Sequence, residues 1–176
     1  MNARHSWIAL ALFFAFVSVS ASAQEGGGGY GPHAFNAFAE FTGARTGQGV
    51  GFLWGGSAGT YLQEHILGFG LRATEIPSGA TIHVFDAVAG PRAAVSFPLL
   101  RVYLEAGGGM GHSGYYDQYG NYGSGWGAAW QADAGVSHTL LPRLSWRVME
   151  VAYGRIYTGP GVSPLFISTG LTVHVW

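Results

Sequence analysis

Two serine–histidine neighbours, His112-Ser113 and Ser137-His138, are the residues of this sequence best suited to nucleophilic chemistry. A serine hydroxyl activated by an imidazole is the pair that serine hydrolases use. Ser137 and His138 fall on a predicted strand, where adjacent side chains point to opposite faces. His112 and Ser113 fall in a predicted glycine-rich loop, in which Asp117 is the nearest acid. The sequence therefore predicts no enzymatic activity.

The histidines are the remaining candidates for metal binding, and they stand singly. They are His5, His33, His65, His83, His112, His138 and His174. Zinc sites usually show paired ligand spacing, such as two cysteines or two histidines a few residues apart. The chain has no cysteine and no such histidine pair. We therefore predict no metal site and no other cofactor.

The composition excludes several other classes of protein. Of the 176 residues, 48% are hydrophobic but only 10% are charged, whereas an ordinary soluble domain carries about 25% charged residues. The eight basic residues are all arginine and are balanced by nine acids. A nucleic-acid-binding protein needs a basic face, which this balance does not supply. We therefore expect one domain that does not bind nucleic acid.

The N-terminus has the pattern of a secretory signal peptide. Arg4 and His5 form a short basic region, an apolar run extends from Trp7 to Val17, and Ala21-Ser22-Ala23 matches the small-x-small cleavage pattern. The apolar run is too short for a transmembrane helix, which takes about 20 residues. We predict a signal peptide at 1–23, a flexible glycine-rich leader at 24–33, and a folded domain at 34–176.

The rest of the chain divides into eight stretches in which apolar and polar side chains alternate, with clusters of glycine, proline, serine and asparagine between them. This is the pattern of β-strands in a sandwich or a barrel. The predicted strands lie near Ala34–Ala44, Val50–Tyr61, His65–Thr74, Thr81–Ser96, Leu100–Gly107, Trp126–Ser137, Leu144–Gly154 and Leu165–Trp176.

The alternation separates an apolar face from a face of glycines, small polar residues and single charges. In the fifth stretch, for example, Leu100, Val102 and Leu104 all fall on one side. A soluble barrel turns its apolar residues inward, but the other face here carries too few charges to solubilise an exterior. The apolar face is therefore predicted to meet lipid. The fold class is all-β: an eight-stranded antiparallel transmembrane up-and-down β-barrel.

Charged residues of the second face are predicted to form a charge network in the lumen. They are Glu40, Arg72, Asp86, Arg101, Glu105 and Asp133. Charges enclosed in a narrow barrel must pair, because an isolated buried charge is costly. In the seventh stretch Arg147 and Glu150 fall on opposite faces, so either one of them lies at a rim or a bulge shifts the alternation.

The connections alternate between short turns and longer loops, as in outer-membrane barrels. The longest predicted loop, Gly109 to Gly125, contains four tyrosines: Tyr115, Tyr116, Tyr119 and Tyr122. Tyrosine among glycine and serine is typical of adaptable recognition loops, so this loop is a candidate external recognition site. Aromatic residues near strand ends are predicted to form interfacial girdles. These are Trp54, Tyr61, Tyr103, Trp126, Trp146 and Tyr153.

The whole pattern resembles the small outer-membrane β-barrel domain proteins of bacteria, with an OmpA-like eight-stranded transmembrane barrel. Local cues are Gly90-Pro91-Arg92 at a strand end, the run from Tyr103 to Gly109 that leads into a long loop, and the terminal Trp176. The resemblance implies that the barrel-assembly machinery reads Trp176 as its signal. In this chain the apolar residues that usually alternate with that signal lie one step out of phase.

This resemblance implies a monomer embedded in the lipid of the bacterial outer membrane, with a structural or surface-exposed role and no catalysis. A surface ligand is compatible with it, but the sequence does not identify one. The alternatives are a small pore for passive diffusion and a lipid-modifying outer-membrane enzyme. An eight-stranded barrel has a lumen only just wide enough for side chains, which favours a closed barrel over a pore.

Overall fold

The computed structural model describes residues 34–46, 51–77, 82–116, 122–159 and 161–175. The predicted signal peptide, the glycine-rich leader, Tyr119 and Trp176 lie outside the described residues. Eight strands make up the fold. They are β1 (Ala34–Arg45), β2 (Leu53–Glu64), β3 (Leu67–Ile76), β4 (Ile82–Ser96), β5 (Leu100–Tyr116), β6 (Tyr122–Leu141), β7 (Leu144–Ile156) and β8 (Leu165–His174).

Each strand pairs antiparallel with its neighbours in the chain, and β8 pairs with β1 to close the barrel. The predicted fold class is therefore confirmed. Among the described residues, no helix is long and apolar enough to cross a membrane. We call the rim with the β2–β3, β4–β5 and β6–β7 connections the turn end, and the opposite rim the loop end.

The hairpin of β5 and β6 is longer than the sequence analysis predicts. The segment Gly109–Gly125 is expected to be a loop, but β5 continues to Tyr116 and β6 begins at Tyr122. The antiparallel register runs without a shift from Leu100↔His138 to Tyr116↔Tyr122. The prediction of a long loop is wrong because glycine weakens a strand without preventing it. The glycine-rich ends of β5 and β6 continue the pairing that these two strands already form.

Two further differences concern the turn between β2 and β3 and the interior of β4. β2 continues to Glu64, and the turn into β3 is formed by His65 and Ile66, with His65 at a φ of 54°. The segment Gly90-Pro91-Arg92 lies in the middle of β4 rather than at its end. The register of β4 with β5 is the same on both sides of Pro91, which supplies no N–H to the ladder and interrupts pairing only locally.

The two faces of the strands are assigned correctly by the alternation. Along β3, for example, Leu67, Phe69 and Leu71 are exposed on the outer wall of the barrel, whereas Arg72 and Thr74 are buried in the lumen. The irregularity predicted for the seventh strand is a bulge. The register of β7 with β8 shifts between Arg147 and Glu150, so both side chains point into the lumen.

The predicted aromatic girdles are wrong for two tyrosines and stay a prediction for the three tryptophans and Tyr153. Trp54, Trp126 and Trp146 are exposed on the outer wall, as is Tyr153. Tyr61 and Tyr103 instead are 4% and 1% exposed and lie inside the lumen. Their positions near strand ends suggested a girdle, but the face of a strand residue is decided by its parity, and both have the inward parity.

Candidate functional site

The middle of the lumen is occupied by an arginine that faces three carboxylates. Arg72 on β3 forms a two-pronged contact with Glu150 on β7, in which Nη2 donates to Oε2 over 2.7 Å. Its Nη1 lies 3.4 Å from Asp133 Oδ2, and its Nη2 lies 3.7 Å from Glu40 Oε2. These side chains come from β1, β3, β6 and β7, so the network crosses the barrel from wall to wall.

A second arginine completes this layer. Arg147 Nη1 donates to Glu40 Oε1 over 2.8 Å and lies 3.3 Å from Glu150 Oε2. Its guanidinium carbon lies 3.9 Å from the centre of the Phe38 ring, a distance at which the ring face attracts a cation. Arg147 and Glu150 are both fully buried. The layer therefore combines charge pairing with aromatic bulk.

A neighbouring layer contains Arg92 between two tyrosine rings. Arg92 Nη1 donates to Glu105 Oε2 over 2.9 Å. Its guanidinium carbon lies 4.1 Å from the centre of the Tyr61 ring and 3.8 Å from that of Tyr103. The Tyr103 hydroxyl donates to Glu150 Oε2 over 2.6 Å, which links this layer to the first.

Inward glycines make room for these large side chains. A side chain at Gly135 would overlap the ring and hydroxyl of Tyr103, and one at Gly70 would overlap the Glu105 carboxylate. The glycine-rich inner face is thus needed to hold bulky residues at the same level of the barrel. The Tyr103 ring fills the space beside Gly135, and the Glu105 carboxylate fills the space beside Gly70.

Four of the six predicted network residues take part in these ion pairs: Glu40, Arg72, Glu105 and Asp133. Asp86 is buried in the lumen but forms no ion pair within the part of the chain that the structure describes, and it lies opposite Thr74 in the β3–β4 ladder. Arg101 lies at the turn end and is only partly buried.

Three central members of the network were not predicted from the sequence: Arg92, Arg147 and Glu150. Arg92 has the inward parity of β4 and could have been included on that ground. For Arg147 and Glu150 the signal was the broken alternation itself, because two charged residues three apart can both face inward only across a bulge. The bulge places Val148 and Met149 on the exposed outer wall.

The lumen is not polar throughout, which differs from the expectation of an inner face of glycines, polar residues and charges. Its loop end is closed by a cluster of buried apolar side chains, which we call the apolar plug. They are Ala44, Ile76, Val84, Val88, Ala129, Ala152, Ile156, Val162 and Phe166. Between this apolar plug and the charged layers, the Thr42 hydroxyl lies 2.5 Å from that of Ser57 and 3.0 Å from that of Ser168.

A serine–histidine–asparagine chain lies at the turn end of the lumen. Ser145 Oγ is 2.7 Å from His174 Nε2, and His174 Nδ1 contacts Asn36 Oδ1. The order of atoms resembles a nucleophile, a base and an orienting group. The serine hydroxyl nevertheless points into the filled lumen, since Ser145 is only 5% exposed. These contacts among Ser145, His174 and Asn36 therefore satisfy buried polar groups and do not present an accessible nucleophile.

The two serine–histidine neighbours of the sequence do not form a joint site. Ser113 and Ser137 are buried in the lumen, whereas His112 and His138 are on the outer wall. His112 lies on β5 rather than in the predicted loop. Asp117, the nearest acid in the sequence, lies outside the described residues. Of the tyrosines in the candidate recognition loop, Tyr115 and Tyr116 end β5 and Tyr122 begins β6, whereas Tyr119 lies outside the described residues. Tyr116 pairs with Tyr122 where the described ladder ends.

Solved structures share this barrel. Neisserial surface protein A matches with a TM-score of 0.63 at 16% sequence identity, over 82% of this chain and 98% of that one. The N-terminal β-barrel domain of Pseudomonas aeruginosa OprF matches with a TM-score of 0.51 at 18% identity, over 78% and 96% of the two chains. The chain has the fold of the small outer-membrane β-barrels.

Ail, the attachment invasion locus protein of Yersinia pestis, is more distant, with a TM-score of 0.46 at 13% identity over 80% of this chain and 97% of that one. No protein-family model and no curated protein matches the sequence.

The barrel meets both requirements for crossing a bilayer with strands, an apolar wall and a ladder without a free edge. The protein has the fold of an outer-membrane β-barrel, as the sequence predicts.

Proposed function

We propose that this barrel is closed to solutes, has no catalytic activity, and acts at the cell surface through its β5–β6 hairpin. The observation that carries the proposal is the filled lumen. Two layers of paired charges with aromatic rings occupy its middle, and the apolar plug occupies its loop end. Because the described lumen is filled and Ser113, Ser137 and Ser145 in it are buried, the exposed surfaces are the part of the protein that this proposal assigns to function.

The β5–β6 hairpin is the surface that this proposal favours. β5 has 17 residues and β6 has 20, whereas about 9–11 residues are enough for a strand to cross a bilayer. The two strands are therefore long enough to project beyond the hydrocarbon region. Tyr115, Tyr116 and Tyr122 stand where these strands end, and the sequence from Gly109 to Gly125 has tyrosines among glycines, which is a composition suited to recognising a surface ligand.

The proposal extends to the contacts of the protein. The exposed apolar wall fits outer-membrane lipid, and no apolar face is left for a second subunit once lipid covers it, so we propose a monomer. Assembly through Trp176 by the barrel-assembly machinery follows from the resemblance stated above and lies outside the described residues. Deletion of Trp176 tests directly whether assembly depends on this residue.

Planar-bilayer recording tests whether the lumen is closed. We expect the purified protein to give no steady ohmic conductance. Glu105→Ala should, if anything, introduce leak, because it leaves Arg92 without its 2.9 Å partner and opens space beside it. Leu71→Ala, on the outer wall, is the matched control and should remain silent. Reproducible single-channel steps from the unmutated protein would replace this proposal with the diffusion pore.

Protease treatment of intact cells tests which rim faces outward. A chain whose exported N-terminus stays in the periplasm sends β1 outward, so the loop end, including the β5–β6 tip, should lie outside. We expect cleavage between Tyr115 and Tyr122 in intact cells. Cleavage that requires prior permeabilisation of the outer membrane would mean that the topology is reversed.

A further inference from the structure

Two histidines that are far apart in the sequence meet on the outer wall near the loop end. His83 stands one residue after the start of β4, and His112 lies on the adjacent strand β5. The ladder pairs Phe85 with His112 and His112 with Trp126. The two imidazoles are therefore diagonal neighbours on the same face, beside two aromatic residues.

The separation of the two imidazoles suits a shared metal ion. His83 Nδ1 lies 3.3 Å from His112 Nδ1. Two nitrogens bound to one tetrahedral zinc ion at about 2.0–2.1 Å each would themselves lie about 3.3 Å apart. The distance between the two nitrogens therefore allows both to bind one ion. Imidazole is a preferred ligand of zinc, copper and nickel.

A carboxylate stands near the pair, at an ion-pair distance from one of the rings. A ligating imidazole usually donates its other N–H to a carboxylate, which orients the ring. Glu75 Oε1 lies 3.8 Å from His83 Nε2, the ring nitrogen that does not face His112. The rings of Phe85 and Trp126 complete the walls of a groove of about 370 Å³, with the Trp126 ring centre 5.2 Å from that of His112.

We propose that His83 and His112 form a surface site for a divalent transition-metal ion such as Zn²⁺ or Cu²⁺, with Glu75 as the residue that orients His83. Within the described residues there is no group of three or more histidines, cysteines, aspartates and glutamates that could hold a metal. The described residues therefore supply two ligands, and the remaining coordination positions are open to water or to a further ligand. This metal site requires neither that the lumen is closed nor that the β5–β6 hairpin binds a surface ligand.

Metal titration of the untagged barrel in detergent tests the site. We expect ZnCl₂ to bind at one site per protein by calorimetry. His83→Gln and His112→Gln should each abolish this binding. His138→Gln, which removes a histidine on the outer wall of β6 nearer the turn end, should leave it unchanged. Glu75→Gln should weaken it by about tenfold, the lower range for loss of an orienting carboxylate.

Trp126 offers a second measurement at the same place. Cu²⁺ quenches the fluorescence of a nearby indole, so CuCl₂ should reduce the emission of the unmutated protein saturably. Trp126→Phe should remove most of that change while the calorimetric binding of ZnCl₂ persists. A heat-induced change in electrophoretic mobility confirms that each variant is folded.

The alternative is that the two imidazoles share only a hydrogen bond. In that case the unmutated protein would show no one-site binding, or folded His83→Gln and His112→Gln would bind ZnCl₂ as well as the unmutated protein does. Either result overturns the proposal. Equal loss in His138→Gln would also overturn it, because the binding would then be spread over separate histidines.

Discussion

Replacing Arg72 by methionine should destabilise the barrel by about 3–5 kcal/mol, the cost of removing one partner of a buried ion pair. Arg72 contacts Glu150, Asp133 and Glu40 in the lumen. Without it, Arg147 alone faces these three buried carboxylates. Methionine keeps much of the length and the apolar stem, so the loss is chiefly one of charge. The free energy of unfolding in urea, measured in lipid vesicles, is the quantity to compare.

Three further variants separate charge pairing from other effects. Arg155→Met removes an exposed arginine of β7 and should cost less than about 1 kcal/mol. Arg72→Lys keeps the charge but loses the two-pronged contact, and should fall between the other two. Asp86→Asn should be neutral or stabilising, because the lumen holds five carboxylates against three deeply buried arginines. If Arg72→Met were as mild as Arg155→Met, the network would not hold the barrel together.

Arginine in place of Leu104 should be the most damaging change on the outer wall. Leu104 is 61% exposed and pairs with Ala93 and Ala134, two small residues that also face outward. A charge on the lipid-facing side of an outer-membrane barrel costs about 2–4 kcal/mol at the bilayer midplane and less toward the interfaces. The unfolding free energy in vesicles should fall accordingly.

Two variants serve as controls for this prediction. Leu104→Ala removes the same side chain without adding a charge and should have a much smaller effect. Gly135→Val tests the other face, where the new side chain would overlap Tyr103, so it should fail through crowding rather than through charge. Assembly of Leu104→Arg with unchanged stability would show that the outer and inner faces are interchanged.

The face that each strand residue occupies was determined by the sequence alone. Side chains of a strand alternate between its two sides, so Leu104 could be assigned to lipid and Glu105 to the lumen before any partner strand was known. The number of strands and their antiparallel order followed from the same alternation and from the spacing of the turns. Even the failure of the alternation at Arg147 and Glu150 was visible as an irregularity.

Only the tertiary structure decided which of these residues meet. Alternation gives a residue's side but not its height along the barrel, which depends on the register between strands far apart in the chain. Glu40 and Arg147, for example, are 107 residues apart and form a direct hydrogen bond. The apolar plug at the loop end was hidden for the same reason, because its members come from six strands and from the β7–β8 connection.

The pair of His83 and His112 is a second example of neighbours that the sequence could not predict. Their separation of 29 residues has no meaning as a ligand spacing, and the sequence analysis accordingly predicted no metal site. The register between β4 and β5 brings the two rings together. Local alternation therefore determined which side of the barrel each side chain occupies, whereas closure of the ladder decided which side chains became neighbours.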